Sequence, residues 1–126
     1  MGHVTQINQI KRYFNMWLTK DFSQLTTVFN DNCYYQECYG PGYHGIDEIR
    51  AWVEHQKRVQ SVQCWDIQHV WVGGPATLIV AWYFATETTK RVDFDGVSVI
   101  QFDAQNRIDD CREFQSTHQH VFPYQR

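Results

Sequence analysis

Glu37 has the clearest potential for chemistry in this chain, because its carboxyl group lies within a run of aromatic residues. The segment from Cys33 to Tyr39 is rich in residues with β propensity. In a regular strand, Glu37 shares a face with Cys33, Tyr35 and Tyr39. On a buried face, desolvation would raise the pKa of Glu37 towards neutral pH, which suits a general acid or base. On an exposed face, Glu37 would be an ordinary polar residue.

The composition narrows the classes of function. The chain has 126 residues, a net charge of −3 and an aromatic content of 16%. Without a cluster of basic residues, nucleic-acid binding is not expected. The sequence contains no run of about 18 apolar residues that could span a membrane. No signal-peptide pattern is visible at its start, so we expect a cytoplasmic protein. The many rings need a core, a ligand cavity or an interface to cover them.

The histidines and cysteines do not predict a metal or cofactor site. The four cysteines include no CxxC pair, so we expect free thiols. Among the six histidines, His118 and His120 form a close pair, and His44 and His55 flank a predicted helix. No triplet of His, Cys and carboxylate has the spacing of a zinc site. We therefore expect neither a metal nor a cofactor.

Three helices are predicted in the first half of the chain. Apolar residues recur at helical spacing over Val4–Lys20, and a capping box at Asp21 predicts a short helix over about 22–29. The sequence Asn30-Asp31-Asn32 predicts a turn before the strand that carries Glu37. After the glycine and proline residues at 40–42, a third helix is predicted from Gly45 to about residue 58.

The second half is predicted to form a meander of long strands. Alternating side chains begin at Gln63, and Gly73-Gly74-Pro75 marks a hairpin turn. The following run, Ala76–Glu87, is apolar on both faces, as in a central strand. In the last predicted strand, 107–117, regular alternation places Ile108, Arg112 and Phe114 on one face. Helices followed by strands indicate the α+β class, with helices on one face of a curved, mostly antiparallel sheet.

This α-α-β-α-β-β-β-β order resembles the nuclear transport factor 2-like superfamily, which includes the SnoaL-like polyketide cyclases and the ketosteroid isomerases. The residues that carry the resemblance are IKRYFNMWLTKDFSQLTTVFNDN, GPGYHGIDEIRAW and FDGVSVIQFDAQNRIDDCREFQS. It implies a single domain over residues 1–126 with a cone-shaped, cystatin-like fold, in which three helices and the sheet enclose a pocket. It also implies a homodimer formed through the outer face of the sheet.

The resemblance to the isomerases implies roles for three residues. Glu37 falls where those enzymes keep the carboxylate that moves the proton, and Tyr13 falls where they keep a tyrosine that stabilises the oxyanion. Ser98 falls near the second oxyanion donor, a protonated aspartate in those enzymes, and would be a weaker donor. This implies a cofactor-independent isomerase or cyclase. A protein that only binds a small molecule and a dimeric interaction module are the alternatives, because function depends on the site rather than on the fold.

Two further sets of residues are part of these expectations. The ligand is expected to be a small, hydrophobic, ring-containing molecule in a pocket lined by Trp17, Tyr35, Tyr43, His44, Trp52, Trp65, Trp82, Phe84, Arg112 and Phe114. The group Asp93, Asp95, Arg112 and Glu113 resembles the water-activating carboxylates and arginine of the epoxide-hydrolase branch of the superfamily. Salt bridges between adjacent strands are the simpler explanation of that group.

Overall fold

The three helices bury one face each against the sheet. The computed structural model describes residues 3–125. Helix α1 covers Val4–Thr19 and ends at Lys20, whose backbone is left-handed. Helix α2 is a single turn, Leu25–Val28, and helix α3 covers Gly45–Val59. Acidic residues lie in the first turn of α3 and basic residues in its last turn, and both arrangements favour the helix dipole.

Six strands form one mixed sheet. They are β1 (Phe29–Gln36), β2 (Gly42–His44), β3 (Ser61–Gly74), β4 (Thr77–Glu87), β5 (Arg91–Phe102) and β6 (Ile108–Ser116). Their spatial order is β2-β1-β6-β5-β4-β3. The β1–β6 pair is parallel, and the other neighbouring pairs are antiparallel. The curved, open sheet with its three helices confirms the predicted cone-shaped α+β fold.

The start of β1 differs from the prediction. Residues 30–32 form part of the strand rather than a turn, and α2 is shorter than the predicted helix. The reason is tertiary: Phe29 is completely buried and pairs with Ile108 of β6, so the chain is already extended there. The pairing becomes irregular between Phe29 and Tyr34, where the polar residues lie. Strand pairing therefore overrides the local turn preference.

A β-bulge in β6 reverses the faces of that strand. Phe102 pairs with Ile108, whereas Gln101 pairs with Asp110, so Asp109 is an extra residue in β6. Beyond the bulge, Cys111 and Glu113 point into the protein and are buried, whereas Arg112 and Phe114 lie on the outer face. A shift of one residue moves every following side chain to the opposite face. The predicted pocket positions of Arg112 and Phe114 are therefore wrong, because regular alternation from Ile108 does not include the bulge.

Aromatic side chains fill much of the space between the helices and the sheet. Phe14 of α1 stacks on Trp65 of β3, with ring centroids 3.9 Å apart and planes 7° apart. Trp82 of β4 lies across Gly96 of β5, where the Cβ of any other residue would overlap the Trp82 ring. Gly96 thus allows Trp82 to lie against the inner face of the sheet.

Candidate functional site

A small cavity lies between the helices and the inner face of the sheet. Its volume is about 40 Å³. The cavity combines a wall of aromatic rings with two carboxyl groups. It is lined by Trp17, Tyr35, Glu37, Cys38, Tyr39, Trp52, Gln60, Trp65, Trp82, Phe84, Phe94 and Glu113.

Glu113 is the buried carboxyl group of this cavity. Its side chain projects from β6 and is only 6% exposed. The Tyr35 hydroxyl donates a hydrogen bond to Glu113 Oε2 over 2.5 Å, and the Ser98 hydroxyl donates to the same oxygen over 3.5 Å. Trp82 Nε1 in turn donates to Ser98 Oγ over 2.9 Å. Among residues 3–125, no hydrogen bond engages Glu113 Oε1.

Burial raises the pKa of Glu113 to about 8, because the ionised form is penalised by desolvation. The hydrogen bonds from Tyr35 and Ser98 partly offset this effect, and the nearby charge of Glu37 adds to it. At neutral pH, Glu113 is therefore mainly a neutral acid. A neutral carboxyl group can donate a hydrogen bond as well as accept one.

Tyr13 is linked to the Glu113 carboxyl group through the Tyr35 hydroxyl. Its side chain is 2% exposed, and its hydroxyl donates to the Tyr35 hydroxyl over 2.8 Å. Burial raises the pKa of both phenols well above the ordinary value, so both are neutral donors. The resulting order of donation is Tyr13 to Tyr35 to Glu113. Because the Tyr13 hydroxyl proton is already donated to Tyr35, Tyr13 is placed to orient Tyr35 rather than to contact a ligand.

Glu37 lies at the edge of the cavity, immediately after β1. It is half-buried, and burial raises the pKa of its carboxyl group. A hydrogen bond from the Tyr43 hydroxyl partly offsets that rise. Tyr43 is itself held in place by Trp52, with stacked rings 4.9 Å apart and 17° between their planes. Glu37 and Glu113 thus line the same cavity with different degrees of burial.

The structure separates the residues predicted from the sequence into three groups. Those that line the cavity are Trp17, Tyr35, Glu37, Trp52, Trp65, Trp82 and Phe84. Tyr13, Tyr43 and Ser98 do not line it, and each is hydrogen-bonded to a residue that does. His44, Arg112 and Phe114 lie outside: the two β6 residues are on the outer face, and His44 packs its ring against Tyr34. Because side chains alternate in β2, Tyr43 faces inwards and His44 does not.

Several lining residues have no counterpart in the predicted pocket, and Glu113 is the most important of them. The others are Cys38, Tyr39, Gln60 and Phe94. Alternation along β6 groups Glu113 with Cys111, a residue type that is often buried. That grouping was the available signal for an inward-facing Glu113. The inward orientation itself depends on the bulge at Asp109, which is not visible in the sequence.

The group Asp93, Asp95, Arg112 and Glu113, which resembles the carboxylates and arginine of the epoxide-hydrolase branch, is not assembled into one site. Arg112 pairs with Asp110 at 3.0 Å. Asp93 accepts a hydrogen bond from the Tyr83 hydroxyl over 2.6 Å, and Asp95 contacts His118 Nδ1 at 2.8 Å. These exposed or half-exposed pairs lie outside the cavity, and within residues 3–125 none of them reaches Glu113.

Across the described residues 3–125, no group of three or more His, Cys, Asp or Glu side chains is arranged to hold a metal ion. The four cysteines are free thiols. In the same part of the chain, no helix has the length and apolar character needed to cross a membrane.

The chain matches one family model and is similar in structure to many solved proteins. The model of the SnoaL-like domain matches residues 10–110. Among curated proteins, none matches the sequence significantly. An LEH-like epoxide hydrolase from M. tuberculosis has a similar structure, with 16% identity, a TM-score of 0.78, and coverage of 89% of this chain and 83% of that one.

Two more structures of the same kind are similar to this chain. One is a hypothetical protein from Catenulispora acidiphila with a ketosteroid isomerase-like fold, solved in complex with trimethylamine; it has 12% identity, a TM-score of 0.74, and coverage of 86% and 85%. The other is a steroid delta-isomerase from Pseudomonas aeruginosa, with 12% identity, a TM-score of 0.65, and coverage of 90% and 80%. At these identities the likeness shows the fold alone.

Proposed function

Because the chain belongs to the SnoaL-like domain family, we propose that it is a cofactor-independent enzyme that moves a proton next to the carbonyl group of a small hydrophobic compound. The observation that carries the proposal is the presence of two unlike carboxyl groups, Glu113 and Glu37, in one aromatic cavity. Environments that separate two such pKa values assign one group as the acid and the other as the base. A steroid delta-isomerase is among the structures that share this fold.

In the proposed reaction, Glu37 is the base and Glu113 is the hydrogen-bond donor. The Glu37 carboxylate takes a proton from the carbon beside the carbonyl group, and the electron pair of the broken C–H bond moves onto the carbonyl oxygen. Neutral Glu113 donates to that oxygen and stabilises the enolate. Glu37 then returns the proton to the α-carbon or, where an adjacent double bond extends the enolate to a dienolate, to its γ-carbon, so no cofactor is consumed.

Tyr13, Tyr35 and Ser98 act in this proposal as positioning residues. The Tyr35 and Ser98 hydroxyls both contact Glu113 Oε2. This arrangement holds the carboxyl plane and leaves Oε1 for the substrate. In this proposal, Glu113 is the direct oxyanion donor, and Tyr13 and Ser98, for which the resemblance to the isomerases implied that role, support Glu113 instead.

The size of the cavity limits the substrate. Pockets for drug-sized ligands occupy about 300–1,000 Å³, whereas this cavity has a volume of about 40 Å³. In this conformation a compact compound is favoured over a fused ring system. A ring-containing substrate requires an outward movement of the turn after Glu37, where Tyr39 packs edge-on against Phe94 with centroids 5.9 Å apart.

The proposed function is tested by hydrogen exchange in a panel of small cyclic and acyclic ketones dissolved in D₂O and followed by NMR. Glu37→Gln removes the base and is expected to lower the rate of exchange at the α-carbon by roughly 10²–10⁴-fold. Glu113→Gln keeps a weaker hydrogen-bond donor, so its exchange rate is expected to fall less than that of Glu37→Gln. Glu87→Gln, at the exposed end of β4, is the matched control and should exchange at the wild-type rate. Equal exchange by wild type and Glu37→Gln would support the alternative, a protein that binds without catalysis.

We also propose that the protein forms a homodimer through the outer face of the sheet. Phe114 is 54% exposed and Trp71 is 49% exposed on this face, beside the half-buried Ile79, Val97 and Val99. Contiguous apolar surface of this kind marks an interaction site. Phe114→Glu is expected to convert the dimer to a monomer in sedimentation velocity, whereas Leu18→Glu, on the exposed side of α1, should not. A wild-type monomer at micromolar concentration would contradict this proposal.

A further inference from the structure

The ionisable groups that line the cavity are acidic, without a basic side chain among the lining residues that the structure describes. The cavity's two ionisable carboxyl groups, Glu37 and Glu113, are accompanied by neutral Cys38, Gln60 and tyrosine side chains. Within the described residues, none of the side chains that line the cavity is Lys, Arg or His. A ligand that carries a positive charge would therefore meet attraction and no repulsion inside this space.

The aromatic wall adds to this preference. Phe14 covers one face of the Trp65 ring at 3.9 Å, and Tyr43 covers one face of the Trp52 ring at 4.9 Å. Both indoles line the cavity, together with the rings of Trp17, Tyr35, Tyr39, Trp82, Phe84 and Phe94. The face of an aromatic ring carries negative electrostatic potential and attracts cations, and tryptophan does so most strongly. Ring packing fixes the positions of Trp52 and Trp65 in this wall, and Tyr35 also packs against Trp52, with ring centroids 4.9 Å apart.

Glu113 is mainly neutral at neutral pH, and it becomes a counter-charge when a bound cation stabilises its ionised form. The side chain is 94% buried, and Tyr35 and Ser98 donate to only one of its two carboxyl oxygens. A buried carboxylate without a partner is strongly disfavoured, but a bound cation nearby favours its ionised form. The unpaired Oε1 atom therefore has two possible partners of different kinds: a carbonyl oxygen when Glu113 is neutral, and a cation when Glu113 is ionised.

We propose that the cavity binds a compact alkylammonium ion, held by the aromatic wall around its methyl groups and by Glu113 and Glu37 at its charge. The proposal goes beyond the proposed function: it uses the same cavity with Glu113 ionised, whereas the carbonyl reaction uses Glu113 neutral. The volume agrees, because about 40 Å³ admits a group of only a few non-hydrogen atoms. A fused ring system would not fit without rearrangement.

The test uses tetramethylammonium chloride as the probe and tert-butanol as a neutral compound of similar size. Binding is measured by NMR titration, followed at the indole N–H signals of Trp52, Trp65 and the exposed Trp71, with sodium chloride added to keep ionic strength constant. We expect the signals of the two cavity tryptophans to shift, with a dissociation constant at least about tenfold below that of tert-butanol. The Trp71 signal should stay unchanged.

Two variants locate the binding site. Glu113→Gln keeps the shape of the side chain and is expected to weaken tetramethylammonium binding by about tenfold, and Trp52→Leu by a similar factor. Their matched controls, Glu87→Gln and Trp71→Leu, should bind like the wild type. Equal affinity for tert-butanol, or unchanged affinity in Glu113→Gln, would overturn the proposal. Tetramethylammonium has no carbonyl group, so this result is independent of the ketone exchange assay, and either proposal can fail alone.

Discussion

Replacing Trp65 by alanine is expected to lower the free energy of unfolding by roughly 3–5 kcal/mol, which would be the largest single-residue effect on stability that we predict. Trp65 is 8% exposed and contacts four other rings of the core: it stacks on Phe14 and meets Tyr13, Trp82 and Phe84 edge-on. Removing the indole deletes these contacts together and leaves a void beside the existing cavity. The residual void adds to the cost because the surrounding rings cannot close it completely.

The matched control is Trp71→Ala in the same strand. Trp71 is 49% exposed on the outer face, so its removal should cost much less, on the order of 1 kcal/mol. Both changes are compared by urea denaturation in the Phe114→Glu background, which removes the proposed dimer contact. Similar losses for the two tryptophans would contradict the packing described for β3.

Raising the pH from about 6 to about 9 is expected to destabilise the wild type by roughly 2–3 kcal/mol through Glu113 alone. The pKa of Glu113 is about 8 in the folded protein, against an ordinary value of 4.5. Between these values the folded chain retains a proton that the unfolded chain has lost. The unfolded state therefore binds fewer protons, and the free energy of unfolding falls as the pH rises towards 8. Below about pH 4.5 both states hold the proton, so Glu113 causes no loss of stability and no pH dependence there.

Glu113→Gln isolates this effect because an amide does not titrate. The variant should lack the Glu113 contribution and should exceed the wild type in stability above about pH 8. The difference between the two proteins, measured by urea denaturation across the pH range, cancels the contributions of cysteines and other groups. Glu87→Gln should follow the wild-type curve. A difference that does not change with pH would show that Glu113 titrates normally and is not desolvated.

The order of the elements was predictable because local patterns in this chain agree with the final fold over long segments. The apolar stripe of α1 and α3 has helical spacing, and the long runs of β3, β4 and β5 alternate between two faces. The turns between those strands contain glycine, proline or polar residues. These features depend on near neighbours in sequence, and they suffice for the α+β class and for most of the aromatic residues that line the cavity.

The amino-acid sequence alone thus determined the fold class, the approximate bounds of α1, α3 and the hairpin strands, and the placing of Glu37 beside aromatic rings. Tertiary structure decided which carboxyl group lies deepest. The extra residue Asp109 turns Glu113 inwards and Arg112 outwards, and a bulge depends on pairing between distant strands. Tertiary contacts also decided that the Tyr13 hydroxyl is used by Tyr35. The physical reason is that burial, charge coupling and hydrogen-bond partners arise between residues far apart in sequence, which no local pattern encodes.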